Sequence, residues 1–164
     1  MRLRRRHAFS LVELVLVVVI LGIIGAIAVP RMSRAAAGAD EAALGQNLAI
    51  LTRAVERYKA EHLGVPPSTK NQLTQFTDEN GTVKAARGYP FIFGPYLSRV
   101  PTLNMGTNKG EDEIVSAGSP GDSGGAGWWI SPTTGEVRVN APDSDLTKAG
   151  DKLNELVASD FTKK

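Results

Sequence analysis

From Leu14 to Val29 the chain carries no charge, and only one carboxylate, Glu13, separates that run from the start of the apolar stretch at Phe9. Phe9 to Val29 is 21 residues, which as a helix at ~1.5 Å per residue is about 31 Å, one hydrocarbon core. Ahead of it stand Arg2, Arg4, Arg5 and Arg6. Such a cluster holds its own side in the cytoplasm and sends the chain beyond Val29 across the membrane. A carboxylate inside a span costs ~2.5–3.5 kcal/mol on insertion scales, so Glu13 requires a partner or a task.

The run Phe9-Ser10-Leu11-Val12-Glu13, followed by an apolar helix with Pro30 at its far end, resembles the prepilin N-terminus of type IV pilins and type II secretion pseudopilins. The resemblance implies that a membrane-bound prepilin peptidase cuts between Ala8 and Phe9 and methylates the new Phe9 amine. It gives Glu13 the role of assembly residue and Pro30 that of a helix kink. Where the family usually carries Gly before the cut, this chain has Ala8. Two other readings compete. A plain signal anchor explains the arginines and the apolar run, but leaves Glu13 without a use. A cleaved secretory signal would use Ala26-Ile27-Ala28 as its site, but its apolar region would exceed the usual ~7–15 residues and enclose Glu13.

Charge excludes a nucleic-acid role. The formal net charge is +2, with 19 basic and 17 acidic residues. Loss of the leader removes four arginines, leaving 15 bases against 17 acids, so the basic excess belongs to the leader. There is no cysteine, hence no disulfide framework and no thiolate metal site.

Beyond Pro30 the pattern stays helical. Leu44, Leu48, Leu51, Val55 and Tyr58 recur at four- and three-residue spacings on one stripe. Pro30 removes a backbone donor and predicts a kink, and Gly22 and Gly25 weaken the helix earlier. Gly64-Val65-Pro66-Pro67 ends it near His62. The segments Leu63–Phe76 and Gly88–Pro101 are similar to the loop after the helix in pseudopilins and to the Tyr-Leu-x-x-Leu-Pro segment of major pseudopilins. Tyr89, Phe91, Phe93 and Tyr96 are expected to pack against the helix stripe. Asp78-Glu79-Asn80-Gly81 is a turn signal. Glu113–Ala117 reads as a short strand. Gly127–Ser131 and Glu136–Asn140 read as a hairpin around Pro132-Thr133-Thr134-Gly135. Leu146, Ala149, Leu153, Leu156 and Val157 suggest a short amphipathic helix.

The expected fold is α+β and pilin-like: a long N-terminal helix, half in the membrane and half amphipathic, packed on a small antiparallel sheet. Its parts are a leader over 1–8, a transmembrane helix over 9–29, the soluble half of the helix over 30–62, and a globular remainder over 63–164.

Gly121-Asp122-Ser123-Gly124-Gly125 matches the sequence around the nucleophile of chymotrypsin-like proteases. That chemistry needs a His base oriented by an Asp. His7 lies in the leader and His62 at the helix end, so the motif reads as turn-forming residues. Calcium is the other site reading, since it takes six to eight oxygens and the resemblance implies a calcium-holding late loop. The candidate ligands are Asp122, Asp143 and Asp145; the alternative is a solvated acidic edge.

Taken together these features imply a non-enzymatic filament subunit of a secretion pseudopilus or a type IV pilus. Its implied partners are copies of itself, other pilin-like subunits, the prepilin peptidase, an inner-membrane assembly platform and the membrane. The implied location is the bacterial inner membrane, single-pass, with the C-terminal domain periplasmic or extracellular.

Overall fold

Helix α1 runs unbroken from Leu11 to Glu61 in the computed structural model, which describes residues 10–121 and 124–161. The backbone of α1 passes through Pro30 without ending. The chain separates into two compact units, residues 1–38 and 39–164. In the first, large apolar side chains from Leu11 to Ile27 are exposed all round the helix, a pattern that belongs to a helix buried by lipid or by other helices. The described side chains of this apolar half end at Ile27. Among the described residues no helix is long and apolar enough to cross a membrane.

In the second unit the expected stripe is the core. Leu44, Leu48, Leu51, Val55 and Tyr58 are each at most 1% exposed and pack with Leu73, Leu103, Trp128, Ile130, Val137, Val139 and Leu153. The helix ends where Leu63 (φ 55°) and Gly64 (φ 84°) turn left-handed and the Gly64 amide donates back to the Lys59 carbonyl at 2.8 Å. Helix α2, Lys70–Thr74, then buries Leu73. Strands β1 (Phe76–Thr77) and β2 (Val83–Lys84) form an antiparallel hairpin. Its turn is held by Asp78, whose carboxylate accepts the Asn80 and Thr82 amides at 3.0 and 2.8 Å.

The main sheet is three-stranded: β3 (Ile114–Val115), β4 (Trp128–Ile130) and β5 (Val137–Val139). The β4–β5 hairpin is antiparallel with Trp128 opposite Val139 and Ile130 opposite Val137. Gly135 (φ 78°) closes its turn. Strand β3 joins β4 in parallel, so this sheet is mixed. The 116–127 connection has the length a parallel crossover needs.

Two expectations are corrected. The residues from Leu146 to Val157 form no amphipathic helix. Gly150 (φ 93°) and a Thr147–Asp151 turn interrupt them, Leu146 is exposed and bridges Lys152 in antiparallel fashion, and a 3-10 turn forms at Leu153–Glu155, followed by another at Ala158–Phe161. Of the aromatics, Tyr96 is buried and Phe93 packs edge-on to His62, but Tyr89 is 93% exposed.

Candidate assembly site

Glu13 lies in the first turn of α1, three residues after Ser10, which immediately precedes the helix. That S-x-x-E spacing is the signature of a capping box, and the helix macrodipole favours a carboxylate there. Glu13 is exposed, with Leu11, Val12, Leu14 and Val15 exposed around it. Among the described residues no ion pair involves it. It is therefore an exposed charge in an apolar collar. Ala8 and Phe9, where processing is expected, lie outside the described residues.

The stretch of α1 within the second unit is fixed at both ends. At its start, Asn104 donates to the Asp40 carbonyl at 2.6 Å and the Lys148 amide donates to the Glu41 carboxylate at 2.6 Å. One turn on, a Cβ at Gly45 would stand 2.5 Å from the Phe161 ring. At its end, Lys59 reaches the Thr134 carbonyl at 2.5 Å and Tyr96 donates to Glu61 at 2.5 Å. Burial first, and then the Glu61 carboxylate, push the Tyr96 phenol well above its ordinary pKa. None of these five fastenings has a spacing signal in the sequence, because each pairs α1 with a loop more than thirty residues away.

His62 is 2% exposed, stacked on Tyr58 with centroids 3.8 Å apart. Its Nδ1 lies 2.8 Å from the Tyr58 carbonyl and its Nε2 lies 3.0 Å from Thr77 Oγ1. Both ring nitrogens are thus engaged in the core, and neither is offered as a general base. Asp122 and Ser123 lie outside the described residues.

The late carboxylates divide between different partners. Asp143 accepts from Asn154 at 2.7 Å and Lys152 at 2.9 Å. The Asn154 amide and then the Lys152 ammonium hold its pKa below the usual carboxylate range. Asp145 accepts the Thr107 amide at 2.5 Å and its hydroxyl at 2.9 Å. Asn154 and Lys152 thus sit against Asp143 and Thr107 against Asp145, while Asp122, the third candidate, lies outside the described residues. Among the described residues no group of three His, Cys, Asp or Glu side chains is placed to hold a metal.

An apolar N-terminal helix with one carboxylate in its first turn, continuing as the spine of an α+β unit, defines a pilin-like subunit. Residues 3–29 match the prokaryotic N-terminal methylation motif. The type II secretion system core protein G of Pseudomonas aeruginosa is 32% identical over 139 residues, 77% of this chain and 92% of that protein. Those of Klebsiella pneumoniae and Vibrio cholerae are each 28% identical, over 73% and 77% of this chain and 81% and 89% of theirs. No solved structure matches at a significant level. The chain belongs to the family of type II secretion system core protein G, the major pseudopilins, and is a structural subunit of a pseudopilus assembled with other pilin-like subunits.

Proposed function

We propose that the chain is inserted in the bacterial inner membrane by its N-terminal helix, with the unit after Pro30 in the periplasm, and is cut between Ala8 and Phe9 by prepilin peptidase. The freed Phe9 amine is then methylated. In the filament the apolar halves of α1 stack, with Pro30 bending the helix where it leaves the apolar core, and Glu13 pairs with the Phe9 amine of a neighbouring subunit. An unpaired charge in hydrocarbon is heavily penalised, so this pairing sets register as well as attraction. Adding subunits at an inner-membrane assembly platform lengthens the filament. No enzymatic step is required of the chain.

The carrying observation is the match of residues 3–29 to the methylation motif in register with a helix that continues unbroken into the soluble core. Intact-mass measurement of membrane-extracted protein tests it. The expected species begins with N-methyl-Phe9. A mature chain beginning at Val29 would mark a secretory signal, and an uncut chain a plain anchor.

A further inference from the structure

The β1–β2 turn is moored in its middle and open on both sides. Gly81 (φ 76°) is buried. A Cβ there would meet the Tyr58 hydroxyl, and the Gly81 carbonyl accepts the Gln72 amide at 3.0 Å. Its neighbours Asn80 and Thr82 are exposed. The Asp78 carboxylate accepts both of their main-chain amides, at 3.0 and 2.8 Å, and so engages neither side chain. Among the described residues, the Asn80 carboxamide and the Thr82 hydroxyl have no hydrogen-bond partner. By contrast, Asn47, Asn104, Asn108, Asn140 and Asn154 each donate to a group within the chain.

Asn80-Gly81-Thr82 is the one Asn-x-Ser/Thr triplet in the chain, and its middle residue is not proline. On a surface turn of an exported protein that triplet is the acceptor pattern for N-glycosylation. The spacing has a chemical reason. A carboxamide nitrogen is a poor nucleophile, because its lone pair is delocalised into the carbonyl, so a transferase has to hold and activate it. A hydroxyl two residues on lies on the same side of an extended chain and gives the enzyme a second handle. Asp78 stands two residues before Asn80, so it shares that side too, and its carboxylate is a charge that a basic pocket can grip. Strands of two residues each frame the turn, and both residues of β2 are exposed. Few contacts hold such a hairpin shut, so it opens locally into an enzyme cleft.

We propose that Asn80 is the acceptor of an N-linked glycan, attached on the periplasmic side of the membrane. This rests on the reading that places the second unit in the periplasm. The donor is an oligosaccharide carried on a membrane-bound polyprenyl diphosphate. The Asn80 Nδ2 bonds to the anomeric carbon of the first sugar as the bond from that carbon to the diphosphate oxygen breaks. The lipid diphosphate leaves with the electron pair, and the displaced Nδ2 proton passes to a base of the transferase. With Gly81 moored against Tyr58 and Gln72, the sugar stands on the solvent side of the turn and leaves the buried stripe of α1 untouched.

Full-length protein extracted from the membranes of its own cells and cut with trypsin provides the test, since Lys70 and Lys84 bracket the turn. Mass spectrometry of the intact peptide 71–84 should find an oligosaccharide on Asn80. Thr82→Ser should keep it, whereas Thr82→Ala and Asn80→Gln should abolish it with the amount of subunit in the membrane unchanged. Asp78→Asn, which keeps an acceptor oxygen for the turn, should lower occupancy several-fold. A bare wild-type peptide, with Asn80 intact or deamidated, would overturn the assignment, as would a sugar that survives Asn80→Gln. Protease treatment of spheroplasts separates the two readings. A bare peptide from a chain whose second unit is digested overturns the glycan alone, and one from a chain whose second unit is protected overturns the periplasmic placement as well.

Discussion

Gly45 shows how closely the C-terminal segment is fitted to the helix. In an exposed helix, Gly→Ala gains about 0.5–1 kcal/mol from backbone entropy. Here the new methyl would lie 2.5–2.8 Å from three atoms of Phe161, and overpacking of that kind costs about 1–3 kcal/mol. Gly45→Ala should therefore lower stability in urea denaturation. In a Phe161→Ala background the same change should reverse sign and stabilise. A second residue-scale consequence concerns acid. The native pKa of Asp143 is depressed, by Asn154 first and Lys152 next. Its contribution is thus present above the ordinary carboxylate value of about 4 and is lost as pH falls through the lower native value. Asp143→Asn should lose less melting temperature than wild type between neutral and strongly acidic pH.

Among the elements, the β4–β5 hairpin depends most on one side chain. Trp128 is fully buried, and its indole N–H donates to the Pro101 carbonyl at 2.7 Å. Trp128→Ala should cost about 3–5 kcal/mol. Trp128→Phe keeps a ring but leaves that carbonyl unpaired, and should cost about 1–3 kcal/mol. Both are read from denaturant midpoints. This hairpin was legible in the sequence because Pro132-Thr133-Thr134-Gly135 demands a turn and Val137 and Val139 alternate with Arg138. The helix stripe was legible for the same kind of reason, a 3.6-residue period held over fifteen positions from Leu44 to Tyr58. The parallel strand β3 was visible only as a short apolar run, since two residues carry no information on pairing direction. The apolar spacing after Pro142 mimics a helix, and only the left-handed Gly150 and the Thr147 turn reveal otherwise. Tyr89 reads like its aromatic neighbours, and its exposure is decided by the Gly88–Phe91 turn, which composition does not report.

At the scale of the whole molecule, one helix serves two environments. Its second half is fastened into a folded unit by the Leu44–Tyr58 stripe and by loop contacts at both ends. Its first half exposes apolar side chains on every face around a single carboxylate, and among the described residues nothing within one subunit covers that surface. In the proposed filament, neighbouring apolar helices cover it and a neighbouring amine meets Glu13. The candidate site was therefore readable in sequence at Glu13, where a charge interrupts an apolar run. The fastenings of the second half of α1 to Asn104, Lys148, Thr134 and Tyr96 were unreadable, because they depend on tertiary placement. The direct measurement is electron microscopy of immunolabelled filaments from cells expressing wild type or Glu13→Leu at equal membrane levels. Labelled filaments are expected for wild type and their loss for Glu13→Leu, with the second unit still folded. Wild-type levels of labelled filaments from Glu13→Leu would contradict it.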